Sequence, residues 1–298
     1  MENSLALTIF LPVSLGIIML GLGLALTLED FQKVLKAPKA VLVALVCQTF
    51  ILPLACVAII YLFNLEPALA VGMMLLAASP GGTSANLYSH LADGDVALNI
   101  SLTAINSALS IITLPLIVNW SLAHFFSEGQ AIPLQFAKVM QVFIIMLGPV
   151  IIGMWIRHRF PAFADNMARP VKILSLVFLM MVVLVALVQE WETLQIWAPI
   201  VGLATLTFNL VSLAIGYFVP RAVGIDNRQS TAIGMEIGIH NGTLAIAIAL
   251  SPFLLNNPTM AVPAAIYGLI AFVTAALFGY WLKTRQKAAG KVTFVDPM

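Results

Sequence analysis

The sequence predicts an all-α polytopic membrane protein with nine transmembrane helices. Of its 298 residues, 61% are hydrophobic and only 9% are charged, whereas a soluble domain carries about 25% charged residues. A membrane-spanning helix needs about 20 predominantly apolar residues. Nine such stretches follow one another with short connections: Leu5–Thr27, Ala40–Phe63, Pro67–Leu91, Val96–Phe125, Leu134–Ile156, Pro170–Val188, Trp197–Val219, Asn227–Leu250 and Ala261–Leu282.

The basic residues predict how these helices are oriented. Of the 14 Lys and Arg residues, only Lys138 falls outside the segments that follow the first, fifth, seventh and ninth stretches. Lys and Arg are enriched in cytoplasmic loops. We therefore expect the N-terminus outside and the C-terminus in the cytoplasm, in the inner or plasma membrane of a cell. The net charge of +1 gives no reason to expect a nucleic-acid partner.

Glu236 is the one acidic residue in the middle of a predicted span. A charge at the centre of a bilayer costs about 2.5–3.5 kcal/mol, and ionisable residues there usually mark a functional site. The surrounding segment, Glu236–Asn241, reads EIGIHN, and Gly238 and Gly242 weaken its helix. We predict a broken helix that lines a binding site. The alternative is a kinked helix whose Glu236 is only hydrogen-bonded inside the bundle.

The third stretch contains a second break, at Ser79–Gly82, which reads SPGG. Pro80 removes a backbone donor and clashes with the preceding turn, so we expect a new half-helix capped by Thr83 or Ser84. The N-terminal ends of such half-helices favour anions, and their carbonyl ends favour cations. The two breaks therefore predict a site for an anion beside cations.

The second and seventh spans share a short repeated sequence pattern, which is a weak sign of an internal repeat. Ala37-Pro38 precedes the second span and Ala198-Pro199 opens the seventh, and in each an amide residue, Gln48 or Asn209, follows the proline by ten residues. Because these spans run in opposite directions, the pattern indicates an inverted repeat.

The fourth stretch has polar residues on one helical face, because their spacing alternates between four and three: Asn99, Thr103, Asn106, Ser110 and Thr113. For Ser110 and Thr113 we favour interhelical hydrogen bonds. For Asn99 and Thr103, near the break of the third stretch, we predict ligand binding.

Several motifs together resemble the bile acid:sodium symporter family over nearly the whole chain. They are SPGGTSAN at 79–86, ALNISLT at 97–103 and EIGIHN at 236–241, with GIIMLGLGLAL and LTLEDFQKVLKAPK near the start. The resemblance implies one transporter domain, residues 1–298, built from inverted repeats. It implies a core of the spans at about 40–125 and 197–282, where the two broken helices cross, and a panel of the spans at about 5–27 and 134–188.

The resemblance also implies two sodium sites and a substrate site. Carried over residue by residue, the first sodium site comprises Asn86, Asn99, Thr103 and Glu236. The second comprises Gln48, Glu236, the backbone carbonyls of Ile237 and Ile239, and His240. Substrate contacts are expected at Thr83, Asn241 and Gly242. The chain departs from the family at Ala85, where a serine is frequent, and at His240, where glutamine is usual.

The expected function is a sodium-coupled symporter that imports an organic anion by alternating access, as a monomer and with no cofactor besides the coupling Na⁺. His240 leaves an alternative open, a proton-coupled or exporting carrier of the same fold, because its imidazole can carry a proton, bind an ion through water, contact the substrate or simply pack. A channel is a further alternative. An enzyme is not expected, since one mid-span acid supplies no acid–base pair, and neither Cys47 nor Cys56 lies at a break as metalloid efflux would require.

Overall fold

The computed structural model describes residues 37–126, 136–167, 191–251 and 254–292, with scattered positions between 16 and 27 and between 170 and 177. In this part of the chain the regular elements are helices: α1 Pro38–Val46, α2 Leu52–Leu62, α3 Pro67–Ala78, α4 Thr83–Leu91, α5 Val96–Phe125, α6 Phe136–Arg159, α7 Trp191–Ala222, α8 Asn227–Gly238, α9 Gly242–Leu250 and α10 Val262–Val292. The first and sixth predicted spans fall mostly outside the described residues, so the count of nine stays a prediction.

Within the described ranges, four helical stretches are long and apolar enough to cross a membrane: Pro38–Leu62, Val96–Phe125, Ala198–Ala222 and Pro258–Arg285. Large apolar side chains project outwards from them, such as Leu54 and Leu269, which are 70% and 76% exposed. Exposing apolar surface along whole helices is unfavourable in water, whereas it is favourable in contact with lipid. The chain is therefore a multi-pass membrane protein.

Both predicted helix breaks are confirmed. The third span is divided into α3 and α4, and the eighth into α8 and α9. In each half a helix of 12 residues is followed by one of 9 residues. The helices before the two breaks match each other in length, and so do the helices after them. An inverted repeat predicts this correspondence.

The two breaks meet and pair with each other. The Gly82 N–H donates to the Ile239 carbonyl at 3.0 Å, and the Asn241 N–H donates to the Pro80 carbonyl at 2.8 Å. Gly81 and His240 thereby form an isolated antiparallel bridge. Backbone groups that a break frees inside a membrane need internal partners. Each break supplies them for the other.

Helices α1 and α2 form one continuous rod, joined by a π-helical turn at Cys47–Ile51. Pro53 has no N–H to donate to Thr49, so the ordinary hydrogen-bond ladder cannot continue there. The Leu52 N–H bonds to the Cys47 carbonyl instead. This wider turn carries Gln48, which is buried.

Two helices are longer than the membrane spans predicted within them, although the apolar spans themselves, Ala198–Ala222 and Pro258–Arg285, lie close to the predicted ones. Helix α7 begins at Trp191 rather than Trp197, and α10 continues to Val292 rather than ending at Leu282. The added segments contain Glu, Gln, Lys, Arg and Ala, which are good helix formers in water. These helices therefore extend beyond their apolar parts.

Candidate functional site

The Glu236 carboxylate lies at the crossing of the broken helices and is fully buried. Its Oε2 accepts a hydrogen bond from the Thr103 hydroxyl at 2.6 Å, and its Oε1 accepts one from Asn106 Nδ2 at 3.2 Å. The backbone of Gly81 also hydrogen-bonds to it. These donors are all neutral, so they orient the carboxylate without cancelling its charge. Since a buried charge requires compensation, the site has the electrostatics of a cation site.

Gly81 permits the close approach of the first break to this carboxylate. A Cβ atom on Gly81 would lie 2.4 Å from Glu236 Cδ, well inside contact distance. On the neighbouring Gly82, the nearest atom to a Cβ would be Ser84 Oγ at 3.5 Å, an ordinary contact. A side chain at 81 would therefore displace either the carboxylate or the first break, whereas a Cβ atom at 82 would fit without a shift.

Four amide side chains at the crossing have a buried carbonyl oxygen with no hydrogen-bond partner among the described residues: Gln48, Asn86, Asn99 and Asn106. An unpaired buried acceptor costs about 1–3 kcal/mol. Amide and backbone carbonyl oxygens are the groups that bind alkali cations in channels and transporters. The oxygens therefore fit a sodium ion, which would satisfy them and offset the charge of Glu236.

The orientation of three of these amides follows from what their nitrogens bind. Asn99 Nδ2 donates to the Ala232 carbonyl at 2.7 Å, and Asn106 Nδ2 donates to Glu236. Gln48 Nε2 donates to the carbonyls of Ala77 at 3.1 Å and Ser79 at 3.2 Å. Because each nitrogen is held by an acceptor, each oxygen is left free.

The residues expected at the first sodium site are partly assembled. Thr103 contacts Glu236 directly, and its hydroxyl also lies 3.0 Å from the Asn99 carbonyl. Asn99 is one turn away on α5 and is tied to α8 through Ala232. Asn86 lies on α4, and no contact of its amide with Glu236 is described.

Two residues expected at the second sodium site, Gln48 and His240, meet at the Ser79 carbonyl and not at Glu236. Gln48 Nε2 and His240 Nδ1 both reach the Ser79 carbonyl, at 3.2 and 3.1 Å. The Ile239 carbonyl is engaged by the Gly82 N–H. Ile237 lies near the end of α8, where helix carbonyls lose their helical partners.

His240 is held by aromatic residues as well as by this hydrogen bond. Its ring stacks on Phe208 with centroids 5.2 Å apart and lies 5.6 Å from the Tyr267 ring. Because a carbonyl only accepts, Nδ1 carries the proton in the bond to Ser79. Nε2 faces Ser212 Oγ at 3.5 Å. The imidazole thus acts as a fixed donor to the first break.

The residues expected to contact the substrate stand at the starts of α4 and α9. Asn241 caps α9, since its Oδ1 accepts from the Leu244 N–H at 3.0 Å, which leaves Nδ2 as a donor. Gly242 is the first residue of α9, and both residues are partly exposed. The prediction that Thr83 or Ser84 caps α4 was wrong: Gly82 occupies the N-cap, and no side chain caps this helix.

Asn106 is the site residue that sequence reasoning missed. It was placed on the polar face of the fourth span, but only Asn99 and Thr103 were given a role. Its position one turn beyond Thr103 on that face was the available signal. For Ser110 and Thr113, the described residues show no bond between helices of the kind that was predicted. Their hydroxyls donate to carbonyls of α5 itself.

The repeated pattern of Gln48 and Asn209 has a structural counterpart. Gln48 donates to Ala77 at the end of α3, and Asn209 Nδ2 donates to Gly238 at the end of α8, at 2.8 Å. The same sequence offset separates both pairs. In the second half, however, Tyr267 also donates to Gly238, and Thr274 donates to Asn209 Oδ1. Among the residues that the structure describes, Gln48 therefore keeps an unpartnered amide oxygen at this position and Asn209 does not.

Residues 12–197 match the profile described as the Sodium Bile acid symporter family. This match spans more than half of the chain. The chain belongs to the sodium bile acid symporter family. Members of this family are transporters, so the protein is a transporter and not an enzyme.

Relatives in plants, bacteria and animals cover most of this family member. A probable chloroplastic sodium/metabolite cotransporter of Arabidopsis thaliana is 29% identical, over 92% of this chain and 67% of its own length. An uncharacterized sodium-dependent transporter of Bacillus subtilis is 26% identical, over 94% and 86%. The human ileal sodium/bile acid cotransporter is 25% identical, over 97% and 82%.

Proposed function

We propose that this family member is a sodium-coupled symporter that imports an organic anion by alternating access. The observation that carries the proposal is the buried Glu236 carboxylate, which accepts hydrogen bonds only from neutral donors in the described part of the chain and lies among unpaired amide oxygens. That donor set favours Na⁺ over an anion at this position. The names of the three relatives, all sodium-dependent carriers, support the same coupling ion.

Two cation sites would account for the arrangement of these oxygens. The first would use Asn86, Asn99, Thr103 and Glu236. The second would use Gln48, Glu236 and the backbone carbonyls of Ile237 and Ile239. His240 was expected there too, but its Nδ1 is engaged by the Ser79 carbonyl, so it would support this site without binding the ion directly. Each tenfold sodium gradient supplies about 1.4 kcal/mol per ion, and one net charge crossing 100 mV adds about 2.3 kcal/mol.

The substrate would bind where α4 and α9 begin. Both helices start at the crossing, where the positive end of the helix dipole favours an anion. Asn241 Nδ2 would donate to it. Gly242, whose N–H donates to the His240 carbonyl at 2.9 Å, would line the site, and Thr83 stands at the equivalent place on α4. Sodium bound nearby would strengthen anion binding, and this attraction would couple the two.

We further propose nine spans, with a core of the spans at about 40–125 and 197–282 and a panel of those at about 5–27 and 134–188, working as a monomer in the cell membrane. The split of the basic residues supports an outside N-terminus and a cytoplasmic C-terminus.

The orientation predicts which positions a membrane-impermeant thiol reagent reaches in intact cells. Cysteines placed at Glu128 and Glu192 should be labelled from outside, and one placed at Lys287 should be labelled only after the cells are lysed. Labelling of position 287 in intact cells would refute the nine-span arrangement.

The coupling is tested by transport in proteoliposomes. A thermal-shift screen of organic anions, with and without sodium, first identifies a substrate as an anion that stabilises the protein more when sodium is present. An inward sodium gradient should then accumulate this anion above its external concentration. Accumulation of the same size in potassium or choline medium would contradict sodium coupling.

His240→Gln separates sodium coupling from proton coupling in the same assay. An imidazole free in water titrates near pH 6.5, so a proton carried by His240 would make uptake at low sodium vary between about pH 6 and 8. Because Nδ1 is fixed on Ser79 and the ring is stacked, we expect wild type and His240→Gln to share one flat pH profile. A pH dependence that only the wild type shows would favour the proton-coupled alternative.

A further inference from the structure

The hydroxyl group of Tyr267 is inserted into the second helix break. Tyr267 lies on α10 and is fully buried. Its hydroxyl donates to the carbonyl of Gly238, the last residue of α8, at 2.8 Å. The backbone of His240 also hydrogen-bonds to this hydroxyl, and the backbone group that donates is the N–H. One hydroxyl group therefore bonds to the chain on both sides of Ile239.

Two further side chains complete this arrangement. Asn209 Nδ2 donates to the Gly238 carbonyl at 2.8 Å and to the Tyr267 hydroxyl at 3.0 Å. Thr274 donates to Asn209 Oδ1, which fixes the orientation of the amide. We call Tyr267, Asn209 and Thr274 the clamp. Because a carbonyl oxygen has two lone pairs, the two donors of the clamp saturate Gly238.

The first break is held by a different kind of group. There Gln48 Nε2 donates to the Ala77 carbonyl at 3.1 Å and to the Ser79 carbonyl at 3.2 Å. An amide nitrogen donates but does not accept, whereas a hydroxyl does both. The hydroxyl of Tyr267 can therefore hold a carbonyl and an N–H at the second break, which Gln48 Nε2 cannot do at the first.

The clamp fixes the direction of the Ile239 carbonyl. A peptide unit is planar and trans, so its C=O and N–H point in opposite directions. In the unit that joins Ile239 to His240, the N–H faces Tyr267. The C=O faces the first break, where the Gly82 N–H donates to it at 3.0 Å. Tyr267 thus orients an oxygen proposed above for the second sodium site, from the side opposite to that oxygen.

We propose that Tyr267 is a positioning residue for the second sodium site. Its hydroxyl holds the second break in the ion-binding conformation before the ion arrives, so sodium does not have to order the break itself. Its ring also lies 5.6 Å from the ring of His240, which donates to Ser79 across the crossing. This inference rests on the sodium coupling proposed above and gives a role to a residue outside both sodium sites.

Tyr267→Phe removes the hydroxyl and keeps the ring. Packing against His240 is retained and Asn209 can still donate to Gly238, so the variant should fold. The measurement is the unfolding temperature of the purified protein as sodium replaces choline at constant ionic strength, with no organic anion present. Loss of a residue that orients a metal ligand typically weakens metal affinity about 10–100-fold. We expect the half-maximal sodium concentration to rise about tenfold.

Tyr217→Phe is the matched control. The Tyr217 hydroxyl also bonds to an amide, since it donates to Asn227 Oδ1 at 2.6 Å. Asn227, however, stands at the opposite end of α8 from the break. The control should unfold at a lower temperature and keep the wild-type sodium midpoint. Asn209→Leu removes one clamp donor and leaves the Tyr267 hydroxyl in place, so it should raise the midpoint less than Tyr267→Phe does.

Two results for Tyr267→Phe would overturn the proposal. An unchanged sodium midpoint with a lower unfolding temperature would make the hydroxyl purely structural, and an equal shift in Tyr217→Phe would make the effect a general consequence of lost stability. If Tyr267→Phe does not fold, Asn209→Leu becomes the test, and an unchanged midpoint there would equally overturn the proposal. A wild-type protein that sodium does not stabilise at all would instead contradict the sodium coupling itself, so the two failures are distinguishable.

Discussion

Glu236→Gln should abolish sodium-dependent anion uptake in a protein that still folds. Glutamine keeps the shape of the side chain, and its oxygen can still accept from Thr103, but it removes the charge that attracts the cation. Its amide nitrogen also places a donor among oxygens that would bind sodium. Metal affinity typically falls about 10–100-fold even when only a supporting residue is lost, so uptake at ordinary sodium concentrations should become undetectable.

The folded state of Glu236→Gln should be retained because a buried charge is replaced by a neutral group, which lowers the cost of burial. Glu66→Gln is the matched control, since Glu66 is an exposed carboxylate that makes no capping bond at the start of α3. Uptake by the two variants is compared at equal amounts of folded protein in proteoliposomes. Sodium-dependent uptake by Glu236→Gln at the Glu66→Gln level would exclude Glu236 from coupling.

Gly81→Ala should impair transport nearly as severely, through a single methyl group. The new Cβ would lie 2.4 Å from Glu236 Cδ, so either the carboxylate or the first break must move. Overpacking of this kind typically costs about 1–3 kcal/mol, and a displaced carboxylate loses its bonds to Thr103 and Asn106. We expect a fall in both the unfolding temperature and the affinity for sodium.

Gly82→Ala distinguishes this clash from a general intolerance of the break. Its Cβ would meet nothing closer than Ser84 Oγ at 3.5 Å, and neither glycine has a positive φ. It should therefore bind sodium almost as the wild type does. Equal loss of sodium binding in the two variants would mean that the backbone of the break, and not the contact with Glu236, requires glycine.

The helix breaks could be predicted from sequence because their causes are local. Pro80 removes a backbone donor, and Gly81 and Gly82 destabilise helix whatever surrounds them. Glu236 could be identified as a site residue in the same way, because a charged residue in the middle of an apolar span is visible in the local sequence alone.

The contacts at the site could not be read from the sequence because they join distant segments. Nothing local indicates that His240 donates to Ser79 and stacks on Phe208, or that Asn106 rather than Asn99 reaches Glu236 directly. The capping of α4 was mispredicted because Thr83 and Ser84 are good capping residues, while pairing between the breaks places Gly82 at that position.

The most direct test of the account is the binding of radioactive sodium to the purified protein without any organic anion. The wild type should bind sodium saturably, and Glu236→Gln should show no saturable binding over the same range while unfolding at a similar temperature. Saturable binding of equal affinity in both proteins would contradict the claim that the carboxylate at the helix crossing holds the coupling ion.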